Sequence, residues 1–246
     1  MKKPEDKLQQ LVQRLQTACG TNLVSVVLYG SAARDDFHEQ YSDVNLLLVV
    51  RELGPNAMQA LTPVITWWSH EEKLRPPMLM TLQELQESAD VFAIELLDIK
   101  NTHRTLAGED VAATIEVPMN LHRVEVEHEL RTTLLRLRHH LLLASDKEHE
   151  LRAVLAKSIS SVLTLFRHAL IALGEDTPHA KPKLLEQAGE VFGFDVRPLR
   201  SVLELRNDPV QPGSVHELYH AYMAAIGRVA HELDVRVPKK HWRKMA

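Results

Sequence analysis

The chain has 246 residues, 45% of them apolar, with 29 Lys and Arg against 33 Asp and Glu for a formal net charge of −4. That length buries one large core or two modest ones, and the charge excludes a generally basic surface, so nucleic acid is not an expected partner outside a local patch. A single cysteine, Cys19, excludes an intramolecular disulfide framework and fits a reducing compartment. No apolar run approaches the roughly 20 residues of a membrane span. The charged first ten residues also lack the apolar core of a signal peptide. A cytoplasmic protein without membrane contact is therefore expected.

Leu8, Leu11, Val12 and Leu15 recur at helical spacing and predict an amphipathic helix. Leu23–Tyr29 and Val44–Val50 are short β-branched runs of buried-strand length. Pro55 opens a helix through Trp67 or Trp68, kinked or interrupted at Pro63. Pro76-Pro77 breaks the chain before Met78-Leu79-Met80, a third strand, and Thr81 with Glu84 forms a capping box for a short helix through Leu85. In Phe92–Ile99, Phe92, Ile94 and Leu96 alternate as in a strand, whereas Phe92, Leu96 and Ile99 share one helical face. The segment reads as strand at its start, with its end open.

After Pro118 strand signals nearly vanish. Leucines recur at helical spacing over residues 120–143. Ser145 with Glu148 reads as a capping box heading a long helix through about Leu173, stopped by Gly174. Two shorter helices follow at Lys183–Val191 and Pro198–Leu205, and Ser214 with Glu217 caps a last helix through Leu233. The expected fold is α+β: residues 1–115 with a small mixed sheet and flanking helices, then an all-helical bundle over 116–246. The basic tail Lys239–Lys244 is expected to fray.

The most informative stretch joins the first two strands. Gly30-Ser31 ends the first, and Ser42-Asp43-Val44-Asn45 opens the second. Residues two apart on a strand face the same way, so Asp43 and Asn45 share a face. Gly30 permits close backbone approach, Ser31 adds a hydroxyl, and Ala32-Ala33-Arg34 opens a turn whose amides, with the Arg34 guanidinium, suit phosphate.

This arrangement resembles the core of the polymerase-β-type nucleotidyltransferase superfamily, where a Gly-Ser turn cradles a triphosphate and an Asp-x-Asp/Glu pair holds metals. Residues 92–100 with Leu106–Asp110 look like the following segment in bacterial members. Phe166–Gly174 and Pro178–Leu185 look like the carboxy-terminal helical domain of kanamycin-nucleotidyltransferase-like and HEPN-like proteins. The resemblance implies a nucleoside triphosphate donor, Mg²⁺ or Mn²⁺, and transfer of a nucleoside monophosphate to a hydroxyl of a small molecule or protein held in an interdomain cleft. Asp43, Asn45 and Glu95 are then the metal set, Asp43 and Glu95 the catalytic pair, and Gly30, Ser31 and Arg34 the nucleotide contacts. The third carboxylate is expected from a later strand, Glu95 first and Asp98 second. On a strand these two lie on opposite faces, so at most one points into the site.

Asn45 departs from the pattern. Two divalent ions about 3.5–4 Å apart serve such transfer, and losing one charge-assisted ligand costs on the order of 1.5–3 kcal/mol. Weak catalysis or none, with nucleotide binding retained, is the expectation. The alternative is a catalytically impaired nucleotide sensor or protein-interaction module, in which the bundle also offers a surface for homo-oligomers.

The other features read blandly. His122, His128, His139 and His140 lack zinc spacing and are expected on solvated helix faces. Arg206-Asn207-Asp208 lacks the His of a HEPN ribonuclease motif. Trp67 and Trp68 are expected to place one ring in the core and one at an interface.

Overall fold

A computed structural model of the chain describes residues 4–33, 44–205 and 213–237. Arg34, Asp43, the Arg206–Asp208 triplet and the basic tail lie outside the described residues. The chain divides into two compact units, Met1–Pro118 and Met119–Ala246. The fold is α+β, as expected from the sequence.

The first unit is built on a mixed four-stranded sheet with order β3-β2-β1-β4: β1 (Leu23–Tyr29), β2 (Asn45–Val50), β3 (Met78–Thr81) and β4 (His103–Gly108). β1 runs antiparallel to β2 and β4, while β2 and β3 are parallel. The two central strands are apolar apart from Ser25 and Asn45, because both their faces are covered. Leu46, Leu48 and Val50 pack with Leu8, Leu11 and Leu15 of α1 (Pro4–Cys19) and with Leu61 and Val64 of α2 (Pro55–Thr66). Leu47 and Val49 pack on the other face with Leu85 of α3 (Leu82–Glu87) and with Leu96 and Ile99 of α4 (Ala93–Asn101).

Strict alternation fails once. Val24 joins the second core although Val26 and Leu28 join the first. The register slips between Leu23 and Ser25, setting two β1 residues against one of β2, as a bulge does. The buried Ser25 hydroxyl caps the irregularity by donating to Glu109 O at 2.6 Å.

The Thr81–Glu84 capping box is present in both its halves. Three expectations need correction. Phe92–Ile99 is not a strand: α4 covers Ala93–Asn101, and Ala93, Ile94, Leu96, Leu97 and Ile99 are all buried. A helix buried on several sides shows no clean amphipathic period, which is why alternation misled. β4, unforeseen, follows it and ends at Gly108, whose φ of +81° and approach to Val24 O leave no room for a Cβ. Both Trp67 and Trp68 are buried, in one π-helical turn after α2. Arg14 lies 4.2 Å over the Trp67 ring.

The second unit contains α5 (Met119–Leu143), α6 (Glu148–Ala172), α7 (Lys181–Phe192), α8 (Arg197–Glu204) and α9 (Val215–Arg236). Ser214 caps α9 by accepting from Glu217 N. Ser145 does not cap α6, which starts after Lys147 without a side-chain cap. By length and composition α6 is apolar enough to cross a membrane, contrary to the expectation that no such stretch exists. Its buried side chains, from Leu151 to Leu170, supply the core of this unit.

Solvated histidines were expected, yet His122 and His168 are fully buried, with His122 Nε2 and His168 Nδ1 2.8 Å apart across α5 and α6. One ring donates and the other accepts. Nearby in sequence, Arg123 is buried between Glu127 and Asp234, 3.0 Å from each. The Tyr219 hydroxyl donates to Leu137 O at 3.0 Å, and burial pushes its pKa up to about 12.

Two outcomes follow for this unit. His168→Ala strips His122 of this partner and opens a cavity, so we expect a loss of about 3 kcal/mol, read as a lower urea midpoint. The raised Tyr219 pKa means the neutral phenol is favoured in the fold. Its contribution is whole below pH 10 and is lost as pH rises from 10 towards 12. Unfolding curves across that range should show a shallower decline for Tyr219→Phe than for the wild type.

Candidate functional site

Double coverage of β1 and β2 leaves polar chemistry only at strand ends. At one end of the sheet β1 finishes at Tyr29 and β2 begins at Asn45, the two being register partners. β4 enters beside them at His103, also opposite Tyr29. Parallel pairing of β2 with β3 sets Leu47 against Met78. β3 therefore begins at the same end of the sheet as β2.

Gly30 makes the turn out of β1. Its φ of +75° lies in the left-handed region that disfavours side chains, and a 3-10 turn, Gly30–Ala33, follows. The Gly30 N–H donates to Thr102 O at 3.1 Å, so this amide braces the turn against the end of α4. A Cβ on Gly30 would lie 3.5 Å from Asn45 Nδ2. The glycine thus stands directly over the amide of Asn45, which is half-buried at the entry of β2. The backbone of Ser31 lies in the same turn.

Tyr29, half-buried, packs against the second core together with Met78. Burial raises its phenol above the ordinary range, Glu95 raises it further, Arg75 pulls it down and Asp98 adds a smaller upward push. Glu95, Asp98 and Arg75 thus all bear electrostatically on the Tyr29 phenol. The expectation that only one of Glu95 and Asp98 faces the site is corrected by α4. On a helix, residues three apart are neighbours, and both carboxylates act on the same phenol. The strand origin of the third carboxylate is corrected as well, since neither β3 nor β4 contains an Asp or Glu.

Two residues escaped the sequence reading. Arg75 sits in the link before β3, where the Trp68 indole N–H donates to its carbonyl at 2.8 Å. His103 is held by Lys100 O at 3.1 Å and by Asp110 Oδ1 at 3.0 Å. Neither belongs to a motif. Only tertiary proximity to Tyr29 marks them.

The described residues do not make a metal centre: among them no three His, Cys, Asp or Glu converge. Asn45 contributes a neutral amide, and Asp43 and Arg34 lie outside the described residues. What the site does offer is a tight glycine turn, an amide, a phenol, two carboxylates and a guanidinium at one sheet end. Such a set suits a polar ligand carrying phosphate and hydroxyl groups.

No protein-family model matches the chain, and no curated protein matches it. Among solved structures, the chain is similar to spectinomycin adenyltransferase AAD(9) from Enterococcus faecialis, determined with ATP and spectinomycin. The TM-score is 0.57 at 14% identity, covering 93% of this chain and 98% of that one. The chain thus shares its fold with that adenyltransferase.

Gly30→Ala should cost about 1–2 kcal/mol through its left-handed φ rather than through crowding, measured as a fall in the denaturant midpoint. Trp68→Phe leaves Arg75 O without its donor and opens a small cavity in the core, and we expect about 1–3 kcal/mol from the two together by the same measurement.

Proposed function

We propose that this protein is nucleotidyltransferase-like and binds a nucleoside triphosphate at the sheet end where Gly30-Ser31 leaves β1 and Asn45 enters β2. The observation that carries this reading is the left-handed Gly30 standing over Asn45, on a fold shared with an ATP-bound adenyltransferase. The phosphates lie along the Gly30–Ala33 turn, and Asp43 with Arg34 completes the donor side. If the protein is active, it transfers a nucleoside monophosphate to a hydroxyl of a small molecule or protein. Positioning and charge stabilisation would supply most of the catalysis.

A specific observation favours the second reading, a catalytically impaired nucleotide sensor. Asn45 brings no charge, and no strand of the described sheet supplies a third carboxylate. Glu95 and Asp98 remain as the carboxylates of α4, suited to accept a hydroxyl proton. The Mg²⁺ or Mn²⁺ expected from the sequence depends on Asp43, and no step is assigned to it.

The test incubates purified protein with each α-labelled nucleoside triphosphate and Mg²⁺ or Mn²⁺, beside Asp43→Ala and Asn45→Asp. We expect the wild type to bind nucleotide with little pyrophosphate release, Asn45→Asp to release at least tenfold more, and Asp43→Ala to release none. Wild-type turnover equal to that of Asn45→Asp would remove any role for Asn45. Absence of nucleotide binding by the wild type would overturn the reading.

A further inference from the structure

At the entry of β3, Arg75 is fixed in an unusual way. The chain leaves α2 through a π-helical turn, Trp67–Glu71, a form that often marks functional positions. Lys73 then adopts a positive φ of 56°, a strained conformation for a side chain of this size. The segment is secured by the Trp68 indole, itself fully buried, whose N–H holds Arg75 O at 2.8 Å. Backbone strain and a buried clamp thus converge on the residue that meets the Gly30 end of the sheet.

The guanidinium itself is exposed. Among the described residues it enters no ion pair, although Glu95 and Asp98 act on the same phenol as it does. β3 runs parallel to β2, so Arg75, three residues before Met78, precedes β3 at the end of the sheet where Asn45 opens β2. The residue that opens β2 there is neutral rather than anionic. An aspartate at residue 45 would compete with phosphate for this cation. An amide does not, and a guanidinium with spare donors is well matched to phosphate oxygens.

We propose that Arg75, positioned by Trp68, is a phosphate-binding residue of this site and supplies positive charge to a polyphosphate ligand where Asn45 brings no metal-binding carboxylate. The inference rests on the nucleotide-binding reading above and names the group that takes the phosphate tail. Trp68 acts through the backbone of Arg75 and is a positioning residue.

The experiment measures equilibrium binding of a nucleoside triphosphate, of inorganic tripolyphosphate and of the corresponding nucleoside, in EDTA and in Mg²⁺. The proteins are the wild type, Arg75→Ala, Arg75→Lys and Trp68→Phe, with thermal midpoints recorded as a folding control. We expect Arg75→Ala to weaken triphosphate and tripolyphosphate binding at least tenfold in EDTA, to leave the nucleoside unchanged, and to keep the wild-type midpoint. Arg75→Lys should recover part of the loss, because charge returns without the planar fork. Trp68→Phe should fall between wild type and Arg75→Ala. Wild-type binding of the triphosphate with an Arg75→Ala value within twofold would overturn this inference and leave the nucleotide reading standing. Equal weakening for nucleoside and triphosphate would also overturn it. No wild-type binding of any of these ligands, in either medium, would overturn the reading and the inference together.

Discussion

Burial of the β1–β2 pair on both faces is the constraint from which the first unit follows. Leu46 to Val50 cannot carry a polar group without the cost of an unsatisfied buried dipole, so chemistry is confined to where those strands begin and end. At one such end the chain reverses through a left-handed glycine, and the amide of Asn45 lies beneath it. α4 brings two carboxylates to the same place because its Leu96 and Ile99 are anchored in the sheet's second core. Each such burial contributes roughly 1.5–3 kcal/mol. The apolar packing therefore decides where Glu95 and Asp98 sit.

The electrostatic character of that sheet end is mixed. Two carboxylates and one guanidinium bear on a phenol whose ionisation is suppressed chiefly by burial. Asn45 sets a neutral amide where a carboxylate was expected, which lowers the negative charge at the mouth of β2. The fold is shared with an adenyltransferase, and a shared fold does not by itself fix function.

Much of the framework could be read from the chain. β2 announced itself as a continuous apolar run, the Thr81–Glu84 box marked the start of α3, and the Gly30-Ser31 and Asn45 positions fell at strand ends as expected. What escaped depends on tertiary context. α4 is buried on several sides, so its pattern satisfies a strand as well as a helix. β4 is an edge strand of mixed polarity, His-Arg-Thr-Leu-Ala-Gly, with no alternation to betray it. The His122–His168 pair joins residues 46 apart, and no local spacing reports such a contact. Ser145 shows the converse failure, a local capping signature left unused because α6 begins two residues later, after Lys147. Arg75 belongs to no sequence motif, and only the Trp68 indole that holds its carbonyl sets it apart.

The account turns on where a nucleotide sits, and the most direct measurement is amide chemical-shift mapping with a non-hydrolysable nucleoside triphosphate on the assigned protein. The account predicts perturbations concentrated at Gly30, Ser31, Asn45, Arg75 and the first turn of α4, near Glu95. Saturating ligand that leaves those amides unmoved, or that shifts only residues of the second unit, would contradict it.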